Sequence, residues 1–420
     1  MTQLRIAHIG LLLAAVGFNT VPALVGVAPA AYAASEQSTA LRPEIGKPLQ
    51  AAQELIKARK YKEALARIHE ADAVGGKNAH ESFMIERMRA AAAAAAGDNP
   101  TAIKSFEAVI ESGRLSASDQ LKFIQGLAGL HYQARNYPKA IAWLTRYFKD
   151  GGDDPKMRTL LVQTYYLNGD YSRAAKEIQG EIQAEEKAGR APSEEQLQLL
   201  ANCAIKQNDK AGYVHALEKL VAHHPKKEYW NDLLSRQQSK PGFSDRLALD
   251  LFRLKLAAGQ LTKATDYMEM SQLALQAGFP AEAVKIVEQG YKTGALGRGP
   301  EAARQQRLRD LANKNATDDV KTMAQGEAEA EKSKDGTGLV NLGYAYVTVG
   351  QFDKGIALME RGMKKGGFKR PEDAKLHMGI AYLKAGRKNE AIQMFRSVRG
   401  ADGTADLARY WILLTNRPAM

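Results

Sequence analysis

The sequence predicts an all-α chain, an α-solenoid of about ten antiparallel helix pairs. Three observations carry this. A frame of small and aromatic residues returns every 34 to 39 positions over most of the chain. Ala, Leu, Lys, Glu and Gln, all helix formers, dominate a composition that is 45% hydrophobic and 25% charged. No stretch sustains the period-two alternation of Val, Ile and Thr that a half-buried strand needs. A period of this length means stacked units, because one helix pair cannot bury its apolar face alone.

The first 33 residues read as an export signal. Arg5 precedes the apolar run from Ile9 to Phe18, Pro22 breaks it, and Ala31-Tyr32-Ala33 supplies small residues around a bulky one. Cleavage is expected near Ala33, and the apolar core is too short to cross a bilayer unbroken. An uncleaved anchor running to Val27 is the alternative. No later segment reaches the length of a span, so the expected location is the bacterial periplasm. Residues 34–44 form a short linker.

The frame is plainest at Gly343, Tyr346, Gly350, Phe352, Gly355, Met359 and Gly362. It returns 36 residues on at Gly379, Tyr382, Gly386, Lys388, Ala391, Phe395 and Val398. Upstream copies centre their second helices on positions 64, 102, 140, 174, 213 and 283, with intervals of 38, 38, 34, 39 and 70. A further interval of 72 leads to Gly355, so degenerate units are expected near 248 and 319. Gly169, Gly278, Gly350 and Gly386 stand where the first helix must exit left-handed. The small residues Ala64, Ala174, Ala283 and Ala391 allow close helix approach. Pro155, Pro225 and Pro371 stand at junctions where a helix must not continue. Residues 45–298 are read as the N-terminal and central array. Residues 299–335 form a degenerate unit with two helices, 301–314 and 319–332. Residues 336–400 are a clear pair of repeats. In 401–420 the amphipathic run Ala405–Leu414 is expected to cap the last apolar face.

At these residues the chain resembles the tetratricopeptide repeat family, closely over 336–400 and more loosely elsewhere. That resemblance implies a right-handed superhelix whose first helices line a concave groove for protein or peptide partners. The groove residues it marks are Gln125, Tyr132, Gln163, Tyr166, Asn202, Lys206, Met268, Gln272 and Tyr344. Tyr132 and Tyr166 are read equally well as packing between units. The Lys and Asn clamp by which some members grip a C-terminal carboxylate is missing, since its places hold Thr159, Gln163 and Leu199 in one trio, and Asn202 is followed by Leu234. A narrower run, Tyr229 to Leu234, Ala257 to Thr262 and Gln272 to Gly290, is similar to periplasmic members associated with TonB-type transport.

Chemistry-bearing motifs are absent. There is no H-E-x-x-H and no G-x-S-x-G, and Gly294 to Gly299 lacks the spacing and preceding strand of a dinucleotide loop. His223-His224 has no companion ligands. Cys203, the only cysteine, excludes an intrachain disulfide and reads as a buried packing residue. No cofactor or metal is expected. The net charge of +12 favours acidic envelope surfaces or an acidic partner over nucleic acid in an exported chain. The expectation is a non-enzymatic periplasmic scaffold for protein–protein interaction in the cell envelope, accessory to TonB-dependent transport. The alternative is a docking or regulatory protein of peptidoglycan or polysaccharide assembly, or an envelope enzyme with an unrecognised site.

Overall fold

The computed structural model describes residues 40–417. The expected export signal and most of the expected linker lie outside them. Among the described residues there are α-helices and one 3-10 turn, and no strand. The contacts divide the chain into two compact units, one reaching Glu177 and the other starting at Ile178.

The first unit is built from α1 (Pro43–Lys57), α2 (Tyr61–Asp72), α3 (Ala79–Ala96), α4 (Asn99–Glu111), α5 (Ala117–Gln133), α6 (Tyr137–Lys149), α7 (Pro155–Leu167) and the start of α8 (Tyr171–Lys187). Local signals fix these limits. Asn78 caps α3 with a reciprocal bond from Glu81, while Asp98, Ser116, Asn136 and Asp154 cap α4 to α7. Pro155 opens α7 at its first turn, where the missing N–H has no partner to lose. Ile45, Leu49 and Ala52 of α1, Ala64 and Ile68 of α2, and Ile85 and Ala92 of α3 form one continuous core. The small residues expected to let helices close up, Ala64, Ala102, Ala140 and Ala174, are all fully buried.

The second unit continues with α9 (Glu194–Lys206), α10 (Lys210–His223), α11 (Lys227–Gln238), a 3-10 turn at Asp245–Leu247, α12 (Ala248–Ala257), α13 (Ala264–Gln276) and α14 (Pro280–Lys292). It is completed by α15 (Ala302–Lys332), α16 (Thr337–Thr348), α17 (Phe352–Lys365), α18 (Pro371–Lys384), α19 (Lys388–Ser397) and α20 (Thr404–Thr415). Gly278, Gly350 and Gly386 take left-handed φ of +79°, +91° and +78°, as the frame requires. Packing is closest between α16 and α17, where a Cβ on Gly343 would stand 2.6 Å from the carbonyl oxygen of Gly355.

Two expectations are revised here. The degenerate unit holds one 31-residue helix, α15, instead of two helices. The intervening Asn315-Ala316-Thr317-Asp318 contains neither Gly nor Pro, so nothing stops the helix from running on. The closing helix also does more than cap. Besides packing on α19, α20 lies against α10, α12 and α18, so the end of the unit returns to its beginning.

Candidate functional site

The residues expected to meet a partner fall on first helices. In the first unit Gln125 and Tyr132 on α5, and Gln163 and Tyr166 on α7, are all half-buried. Gln125 donates from Nε2 to Asp154 at 3.3 Å and ties α5 to the cap of α7. Tyr132 packs edge-on against Tyr137 at 6.0 Å, and Tyr166 does the same against Tyr171 at 5.3 Å. Both tyrosines therefore serve the packing of their own helix pair. Gln163 has no hydrogen-bond partner among the described residues. In the second unit Asn202, Met268 and Gln272 are half-buried and Lys206 is exposed. The carboxamides of Asn202 and Gln272 have no partner among the described residues either. A half-buried amide with open donors and acceptors is suited to an extended backbone.

Tyr344 does not share this face. It is 0% exposed, stacked edge-on against Phe279 at 5.1 Å and lying 5.3 Å from the His377 ring. The reason is that α16 is flanked by α14 and α18 and turns that side of its first helix inward.

What surrounds Tyr344 is an ion network that no sequence motif marks. Arg253 of α12 is buried, with its guanidinium 4.7 Å over the Tyr344 ring. It donates from Nε and Nη2 to Glu282 of α14 at 3.0 and 2.6 Å, and from Nη1 to Asp250 at 2.7 Å. His377 of α18 sits 2.9 and 3.1 Å from the two Asp250 oxygens. Lys384 of the same helix reaches Glu282 at 3.5 Å. Burial would lift both carboxyls, yet His377 and Arg253 hold Asp250, and Arg253 and Lys384 hold Glu282, below the usual carboxylate range. Burial also lowers Lys384, against the pull of Glu282, and raises the Tyr344 phenol. The Tyr344 hydroxyl is buried without a hydrogen-bond partner. A signal was present in the sequence. Asp250 and Arg253 are charges set into the run Leu247 to Leu254, which is otherwise apolar.

Further chemistry is sparse. No group of three or more His, Cys, Asp or Glu that could hold a metal ion occurs among the described residues. His223 pairs with Glu186 at 3.3 Å and His224 with the Pro192 carbonyl at 2.8 Å, so the two rings serve separate structural contacts. Cys203 is fully buried, and burial pushes its thiol up to about 12. A crevice of about 330 Å³ beside the α1–α2 turn is lined by Arg59, Lys60, Lys62 and Ala96. No described helix is long and apolar enough to cross a membrane.

The sequence profile of the tetratricopeptide repeat matches residues 87–155, 126–191 and 340–406, so the chain carries tetratricopeptide repeats there. No curated protein sequence matches the chain significantly. Solved structures that match the chain include the TPR2AB-domain:pHSP90 complex of yeast Sti1, at 12% identity. That match covers 71% of this chain and 99% of the other with a TM-score of 0.23. The P58(IPK) TPR domain matches at 14% identity over 88% of this chain and 98% of its own, with a TM-score of 0.25. Yeast Tom70 matches at 12% identity over 88% and 94%, with a TM-score of 0.24.

Proposed function

We propose that this tetratricopeptide-repeat chain is a non-enzymatic scaffold that holds a protein or peptide partner on its first helices. The observation that carries the reading is a half-buried carboxamide in each unit, Gln163 on α7 of the first and Gln272 on α13 of the second, whose hydrogen-bonding capacity is unused among the described residues. An extended peptide satisfies such groups through its own backbone and leaves its side chains to set selectivity. The signal-like residues 1–33 support work in the bacterial periplasm, and the net charge of +12 supports an acidic partner or surface. Within that compartment the proposed role is accessory to TonB-dependent transport.

The test is site-specific photocrosslinking in intact cells, with the probe at Gln163 or Gln272 and, as controls, at exposed Lys62 of α2 and Lys388 of α19. Protein adducts at the glutamine positions and not at the controls are expected. Equal adducts at all positions, or none at the glutamines, would refute the first-helix reading. Recovery of peptidoglycan or polysaccharide enzymes alone would remove the transport role. A chain retained in the cytoplasmic fraction would remove the envelope role.

A further inference from the structure

The second unit meets itself along a seam. On one side stand α10, α11 and the Asp245–Leu247 turn, with α12 behind them. On the other stand α18 and the segment entering α20. The bonds across it join residues more than a hundred positions apart, and they are polar. Arg246 forks onto Asp373 at 2.9 and 2.8 Å and onto Asp402 at 2.7 Å. Lys240 meets Asp406 at 2.6 Å, and Arg409 meets Glu218 at 2.8 Å. The Ser244 amide donates to the Asp402 carbonyl at 2.9 Å, and behind these lies the buried pairing of His377 with Asp250.

The largest apolar side chain of α20 looks the other way. Trp411 stacks on Phe395 of α19 with ring centroids 6.1 Å apart, on its own side of the seam. The contrast with the α16–α17 junction is physical. There, glycines bring backbone against backbone, and separation would leave a void with nothing to fill it. At the seam, parting the two sides returns the charged pairs to water, which solvates them well, and uncovers Tyr410, whose hydroxyl lies 3.4 Å from Gln237, and Phe243, which lies against Gly403, so opening costs less than separating a wholly apolar face.

We propose that this seam is a clasp: the second unit opens there as a two-state device, α18 to α20 leaving α10 to α12 while the helix pairs on either side stay folded. Opening frees the inner side of α12 and α18, which the closed form seals around Arg253 and His377. The charged pairs fix the register in which the unit closes, since a shifted register would leave buried carboxylates unpaired.

Hydrogen exchange of the full chain tests this. In the wild type, α20 and the Ser244 amide should exchange through a local opening, faster than α16 and α17. Arg246→Gln should speed exchange in α20 and at Ser244 at least about tenfold and leave α16 and α17 unchanged. Added salt should shift the wild type the same way. Unchanged exchange in α20 would overturn the clasp. So would acceleration of α16 and α17 in step with it, because that marks one cooperative core. Should Arg246→Gln fail to fold, Lys240→Gln at the exposed end of the seam gives the same readout with the same two refuting outcomes.

Discussion

Replacing Arg253 with Met probes the buried network most directly. The Arg253 side chain is 3% exposed, and Asp250 and Glu282 beside it are each 6% exposed. Methionine roughly keeps the apolar stem but removes every bond the guanidinium makes to the two carboxylates. Breaking a buried pair by deleting one partner costs about 3–5 kcal/mol. Here each carboxylate keeps one hydrogen-bonding partner, His377 at 2.9 Å for Asp250 and Lys384 at 3.5 Å for Glu282, which argues for the lower end. About 3 kcal/mol lowers the melting midpoint of a unit this size by roughly 6–12 °C. The assay is thermal and urea unfolding followed by tryptophan fluorescence in a Trp143→Phe background. The remaining reporters, Trp230 and Trp411, then both lie in the second unit.

The deficit should also depend on pH. Arg253 holds both carboxyls below their ordinary range, so its contribution is present above about pH 4 and fades as pH falls through the native values. Without it, the buried carboxyls rise and are best tolerated protonated, so the gap between variant and wild type should narrow from neutral pH towards acid. Adding Asp250→Asn and Glu282→Gln should restore much of the loss, since neutral amides need no counter-charge. A deficit under about 1 kcal/mol, or one constant from neutral to acid pH, would refute the reasoning.

The other expectations concern separate parts of the chain. Gly343→Ala should destabilise the second unit by about 1–3 kcal/mol in urea titration, because its methyl meets the Gly355 carbonyl and the Met359 backbone, neither of which can turn aside. Arg59 holds a left-handed φ of 60° at the position where most other pairs use glycine, so Arg59→Gly should stabilise the first unit by about 0.5–1 kcal/mol; a loss would mean its side chain is engaged. Cys203 should resist a thiol reagent in the native state and react at the rate of opening, so prompt modification without denaturant would contradict its burial. Burial works to raise the Asp402 carboxyl, but bonds from Thr404 and Arg246 bring it down to about 2. Its hold on the seam is therefore complete above about pH 4 and lost as pH falls to about 2, and α20 should exchange faster over that window; a flat response would remove Asp402 from the clasp.

The repeat could be read without coordinates because it is enforced locally. Gly169, Gly278, Gly350 and Gly386 are where a first helix must leave in the left-handed region, and Ala64, Ala140, Ala283 and Ala391 are where a second must approach closely. Glycine meets the first requirement in most units, with Arg59, Arg135 and Asn208 in its place in three, and a small residue meets the second, so both are visible in the letters. The first-helix positions of Gln163 and Gln272 followed from the same frame, although the lack of a partner for either amide is a matter of three dimensions.

Other features are decided by residues that meet only in space. The length of α15 follows from the absence of a breaker, which a spacing argument does not see. The repeat frame places Tyr344 among the groove residues, yet the residue is buried. Its burial comes from Phe279, 65 positions earlier, and His377, 33 positions later. Asp250, Arg253, Glu282, His377 and Lys384 obey no spacing at all, since the return of the chain end onto α12 is what gathers them. The sequence by itself determined the helices, their pairing and where each pair stops, because propensity, caps and periodicity act over a few residues. Only the tertiary structure decided that the second unit closes on itself around a buried ionic cluster, because closure depends on contacts between residues more than a hundred positions apart.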